Sequence, residues 1–142
     1  MQPDGWTVAG LDTNFYAVAP QQIVTGTLLG RPAEVRFTAV SFRWTYGDGT
    51  AAVRATPGGT WQRLRVGEFD PTPTSHVYAQ EGDYTIRLRI RYRAEYRFAG
   101  WDFLPIAGTI TLPANDLHIT VGDAKTVLVN RDCASDPAGP GC

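Results

Sequence analysis

The longest regular pattern in the chain runs from Asp83 to Phe98. Tyr84, Ile86, Leu88, Ile90, Tyr92, Ala94, Tyr96 and Phe98 fall on even positions, and Arg87, Arg89, Arg91, Arg93, Glu95 and Arg97 on odd ones. Strand side chains alternate between two faces, so this pattern predicts a strand with one apolar and one charged face. At ~3.3 Å per residue it spans ~50 Å, longer than an ordinary strand. A bulge near Arg93-Ala94 is therefore expected, or a hairpin arm projecting from the rest of the fold. The expected hairpin partner is Ile106 to Leu112, where Ile106, Ile110 and Leu112 alternate with Ala107, Thr109 and Thr111. The linking tip is Ala99-Gly-Trp-Asp-Phe-Leu-Pro105.

Shorter runs fill the remainder. Residues 1–20 place Trp6, Val8, Leu11, Phe15, Tyr16 and Val18 among turn formers, which predicts one or two short strands added to a sheet edge. Gln22 to Leu29 reads as the first strand of a sandwich, and Glu34 to Ala39 as the next, with Val35, Phe37 and Ala39 inward. Phe42, Trp44 and Tyr46 alternate in a further strand that breaks at Gly47-Asp48-Gly49, residues that tolerate the positive φ of a tight turn. Ala51 to Ala55 suits a short strand. Trp61, Leu64 and Val66 suit either a strand or one turn of helix. Phe69 to Pro73 is loop, and Glu81-Gly82-Asp83 a turn. Leu117, Ile119 and Val121 predict the last long strand, with Thr126 to Val129 a short one after it. No window holds the three–four spacing of a helix over three turns. The expected fold is an all-β antiparallel sandwich, with residues 1–20 as an N-terminal extension packed on it, 21–130 as the sandwich and 131–142 as a C-terminal tail.

Composition narrows the function classes. The 142 residues suit one domain with a real core, and four Trp, six Tyr and six Phe among many Gly and Pro suit a sandwich. A net charge of −1 argues against nucleic-acid binding. Twelve Arg accompany a single lysine, Lys125, a bias that a GC-rich genome also produces. No apolar run approaches the ~18 residues of a membrane span, so no membrane insertion is expected. Met1 to Trp6 lacks the basic-then-apolar order of a signal peptide, so a secreted protein is expected to have lost its signal or anchor. Cys133 and Cys142 flank a Pro/Gly-rich segment that suits a disulfide-closed loop in an oxidising compartment. A pair of free thiols is the alternative. Two thiolates without nearby His fall short of a zinc site.

Two segments carry a resemblance. Phe42-Arg-Trp-Thr-Tyr-Gly-Asp-Gly49, followed by His76-Val-Tyr-Ala-Gln-Glu-Gly-Asp-Tyr-Thr-Ile-Arg-Leu-Arg-Ile90, resembles the PKD domain in motif and order, across Val35 to Ile90. Thr45 stands where that pattern usually has an acidic residue, and Thr56 to Pro73 is an insertion. The resemblance implies an immunoglobulin-like sandwich in an extracellular or cell-surface setting, with no catalytic residues and no cofactor. It implies structural roles for Trp44, Tyr78 and Tyr84. Tyr84, two residues after Gly82, has the spacing of a tyrosine corner.

Candidate sites are weighed on these elements. A lone Asp48 offers one carboxylate where calcium takes several oxygens, so hydrogen bonding to turn amides is expected of it. His76 is expected to pack or hydrogen-bond rather than act as a base, and His118 to face solvent. Two isolated His and no Gly-x-Ser-x-Gly leave no enzyme signature. Arg87, Arg89, Arg91 and Arg93 form a row at ~7 Å intervals, which Arg43 joins if its strand pairs alongside. Such a row can grip carboxylates or phosphates in two-pronged geometry. The simpler reading, and the one favoured here, is a solvated face neutralised by Glu34, Glu95 or the N-terminal segment. At the tip, Trp101 and Phe103 can stack on a sugar or anchor a protein, or fold back on the sandwich. The function expected is a non-catalytic binding or adhesion module contacting a glycan or surface protein. The alternatives are a structural subunit or spacer of a surface assembly, or an accessory domain of a larger secreted hydrolase. The oligomeric state is left open.

Overall fold

The computed structural model describes residues 1–124. Its axis is a ladder of two long strands, β4 (Arg31–Thr45) and β7 (Gly82–Phe98), paired antiparallel from Ala33↔Phe98 to Thr45↔Arg87. Around it lie β1 (Trp6–Val8), β2 (Asp12–Asn14), β3 (Gln22–Leu28), β5 (Ala51–Arg54), one helical turn α1 (Trp61–Leu64), β6 (Ser75–Val77), β8 (Leu104–Pro113) and β9 (Leu117–Gly122). The main sheet has the order β1-β9-β7-β4-β3, with β5 added on β4 and β8 on β7. A second sheet is β2-β6. The fold is all-β and sandwich-like, as the alternation predicts.

The ladder has two ends with different surroundings. At one end β5 and β9 flank it, β1 continues the sheet in parallel with β9, and the second sheet covers the apolar face. Here Phe42, Trp44, Ile86, Leu88 and Ile90 are buried with Phe15, Tyr46, Tyr78, Ile119 and Val121. Phe15 is fully buried and its ring meets those of Trp44 at 5.7 Å and Tyr46 at 5.5 Å. At the other end, β3 and β8 flank the ladder and form the distal sheet β3-β4-β7-β8. Every residue of β3 and β8 is exposed.

Two expectations change, and one open alternative is decided. Glu34–Ala39 and the strand of Phe42, Trp44 and Tyr46, read as separate, form one continuous β4 that ends at Thr45, with Tyr46 just beyond it. No Gly or Pro separates them, and the register shift between Ala39 and Ser41 absorbs the extra residue as a bulge. Gln22–Leu28 is not a core strand of the sandwich but an edge of the distal sheet. Its neighbours Ile23 and Val24 point to opposite faces, and both are exposed. Trp61–Leu64 is a helical turn, capped by Thr60, whose side chain accepts from the Arg63 N–H, and closed by Arg65 at φ 58°. The expected bulge near Arg93 exists in the β7·β8 ladder, between Arg93 and Glu95, but the surplus residues lie on β8 around Gly108. The short strand expected at Thr126–Val129, the tail 131–142 and the Cys133–Cys142 pair lie outside the described residues.

Candidate functional site: an arginine row on the charged face of the sheet

Partners directly opposite in an antiparallel ladder share a face. Arg43 lies opposite Arg89, Thr45 opposite Arg87, Ser41 opposite Arg91 and Thr38 opposite Arg93. On the other side Thr111 lies opposite Arg91 and Thr109 opposite Arg93. One face therefore gathers Arg43, Arg87, Arg89, Arg91 and Arg93 with a border of hydroxyls.

The charges on that face are not equally compensated. Towards the tip, Arg36 forks onto Glu95 (Nη2 to Oε2, 2.7 Å), Arg93 approaches the same carboxylate at 3.6 Å, and Arg97 pairs with Glu34 at 2.7 Å. The Arg36 hydrogen bond holds the Glu95 carboxyl below its ordinary value against the opposing effect of desolvation, helped by the charges of Arg36 and Arg93. Arg87 has Asp116 at 3.7 Å. Arg43, Arg89 and Arg91 form no ion pair among the described residues. Arg43 and Arg89 are like charges directly opposite each other, an arrangement that costs stability unless something anionic shares the site.

The two tip aromatics have different surroundings. Phe103 is half-buried, with the guanidiniums of Arg36 and Arg97 over its ring at 4.0 and 4.3 Å. This cation–π contact fixes Phe103 to the charged face, so it is not a free stacking surface. Trp101 is 61% exposed and touches Phe98 edge-on at 6.3 Å. The cluster of Glu34, Arg36, Glu95, Arg97 and Phe103 was not anticipated as a unit. The signal available was parity, since Arg36 and Glu34 must face the odd positions of β7 once the strands pair.

A second polar constellation sits at the Gly47–Gly49 turn. Asp48 Oδ2 lies 2.7 Å from His76 Nε2, while its Oδ1 accepts from the Thr50 N–H at 3.0 Å and from the Thr50 hydroxyl. The His76 ring stacks on Tyr46 with centroids 3.8 Å apart and meets Tyr78 edge-on at 4.8 Å. Tyr78 donates its hydroxyl to the Tyr46 carbonyl at 2.8 Å. Burial raises the Tyr78 phenol well above its ordinary value. Tyr84 donates to the Gln80 carbonyl at 2.9 Å, and Gly82 opens β7 beside its ring. His118 is exposed, with Nδ1 3.2 Å from the Thr85 hydroxyl.

This geometry is a lock and not a charge relay. A triad needs carboxylate and hydroxyl on opposite nitrogens of the imidazole. Here Asp48 at 2.7 Å and the Thr50 hydroxyl at 3.5 Å both address Nε2. Among the described residues no three His, Cys, Asp or Glu side chains gather as a metal site.

The lock has a pH signature. Desolvation raises the Asp48 carboxyl, but the hydrogen bonds from Thr50 and His76 outweigh it, and the net shift is downward. A depressed carboxyl stabilises the fold fully above its unfolded value and loses that contribution as pH falls through the folded one. Thermal melts should therefore weaken below about pH 4. Asp48→Asn should melt lower than wild type at pH 7 and show a shallower decline in acid. Parallel pH–Tm curves for the two proteins would remove Asp48 from this role.

No helix among the described residues is long and apolar enough to cross a membrane. No curated protein and no solved structure matches the chain. The PKD domain family matches residues 13–91, more than half of the chain, and takes in both β4 with its turn and the first half of β7. That family is an immunoglobulin-like, non-catalytic one, typical of extracellular proteins. The chain belongs to the PKD domain family.

Proposed function

We propose that this chain is a non-catalytic binding module of the cell surface or extracellular space that holds an acidic glycan on its arginine row. The supporting observation is the contrast along one face. Arg36, Arg93 and Arg97 are matched by Glu95 and Glu34, while Arg43, Arg89 and Arg91 are left together without carboxylates among the described residues. Three guanidiniums on one sheet face, bordered by Ser41 and Thr111, suit carboxylates or sulfates repeated along an extended polymer. Trp101, exposed at the tip, offers a stacking surface for a sugar ring beyond the row.

Affinity chromatography on a polyuronate, a sulfated glycan and a neutral glucan tests this reading. The wild-type chain should be retained by the acidic polymers and released by salt, since exposed charges are screened within ~8–10 Å at physiological ionic strength. Arg89→Ala/Arg91→Ala should weaken binding by about two- to thirtyfold, taking ~0.2–1 kcal/mol for each exposed charged contact. Equal retention of wild type and double variant would eliminate the row as the site. A second reading, a subunit of a surface assembly, draws on the opposite face of the distal sheet.

A further inference from the structure

The distal sheet has a second face, and it is apolar. Opposite partners place Val24 with Val35 and Tyr96, Phe37 with Ala94, and Ala39 with Tyr92 and Ile110. Leu104 joins Tyr96 on the same side. The charged residues of β4 and β7 between Glu34 and Arg97 occupy the other face, so this one has no charge between them; Arg31 lies at its outer end. The inner end of this face, at Ala39 and Tyr92, already packs against the core, and in the sandwich body its continuation is covered by Phe15 and Tyr78. On the distal sheet Val24 remains 52% exposed, Ile110 46% and Leu104 44%.

A sheet with one face apolar and open is half of a sandwich. We infer that the missing half is the same face of a second copy of this chain. Three considerations select that occupant. The first is area. Four strands ~4.8 Å apart, each about eight residues long, give a face of about 500 Å². Two such faces brought together remove about 1,000 Å² from water, the lower bound of a specific interface. The second is charge. Face-to-face contact sets aliphatic and tyrosine side chains against their own kind, while both arginine rows point outward, so no like charges meet at its centre. The third is symmetry. Two sheets of equal width pack with strands within about 30° of each other, and a two-fold axis closes the contact at two copies. An acidic glycan fits this face poorly, because it offers few polar groups beyond the hydroxyls of Tyr92 and Tyr96 and the amide of Gln22.

Sedimentation equilibrium of the whole chain, from ~5 to ~500 µM at high salt, decides the matter. A monomer–dimer equilibrium is expected that salt does not weaken, in contrast to glycan binding. Val24→Glu and Ile110→Glu place a charge at positions exposed in the single copy, so the fold should survive and the dimer Kd should rise at least tenfold. Arg89→Ala/Arg91→Ala should leave it unchanged. If a glutamate variant fails to fold, Val24→Thr keeps the β-branched shape while adding a hydroxyl, and should still raise Kd. A monomer at every concentration overturns the inference. So does a dimer whose Kd none of these β3 and β8 substitutions moves, since contact then lies elsewhere, such as the open edge of β3.

Discussion

Trp44→Ala is expected to cost about 3–5 kcal/mol, a large share of the ~5–15 kcal/mol that holds a domain of ordinary stability. Trp44 is almost completely buried at the middle of the core, between Phe15 and the apolar face of β7, opposite Leu88. No neighbouring chain segment can collapse into the space, because the ladder on one side and the second sheet on the other are both held by backbone hydrogen bonds. Trp44→Phe should cost far less than half as much. It keeps an aromatic ring against Phe15 and removes an indole N–H that has no protein acceptor. Urea melts of the three proteins measure both differences. Equal losses for the Phe and Ala variants would show that the indole N–H is satisfied and that ring volume is not what the core needs here.

Gly47→Ala is the second large effect, at about 2–4 kcal/mol from strain and overpacking together. Gly47 has φ +84°, and a Cβ there would sit 2.6 Å from the Thr85 carbonyl oxygen on β7. The atom it meets is backbone, held in the sheet, so it cannot swing aside as a side chain would. Gly49, in the same turn at φ +87°, has open space around it. Gly49→Ala should therefore show only the conformational penalty, about 1–2 kcal/mol. The comparison separates strain from collision. If the two variants melt together, close approach at Gly47 contributes nothing.

The long alternation was legible because one face of β7 is charged at almost every position. Parity then put Arg43 on the face of the row, provided its strand paired alongside; the pairing itself sets Arg43 opposite Arg89 and Thr109 and Thr111 beside the row. The Gly47–Gly49 turn was legible because few residues other than Gly, Asn and Asp accept its backbone. What stayed hidden was long-range. Nothing local tells that Glu34–Ala39 and Phe42–Thr45 are one strand, since a bulge needs no special residue and Val40 is ordinary for a strand. Gln22–Leu28 looks like a core strand by composition, and only pairing shows that nothing covers it. Phe103 reads as either an exposed tip aromatic or one folded back, and only the pairing brings it under Arg36 and Arg97, a contact between residues more than sixty positions apart for Arg36.

The ladder of β4 and β7 crosses from the sandwich to the tip without a hinge. A domain joined to its outboard part by a linker lets the two reorient freely, and each responds to tension separately. Here the same two chains run through both, so a pull on the Trp101 tip against an anchored body is transmitted through the whole ladder. Lateral load would deflect it as a stiff cantilever whose most compliant point is the register shift at Ala39–Ser41. A domain built this way transmits force from its tip to its body, with little slack between.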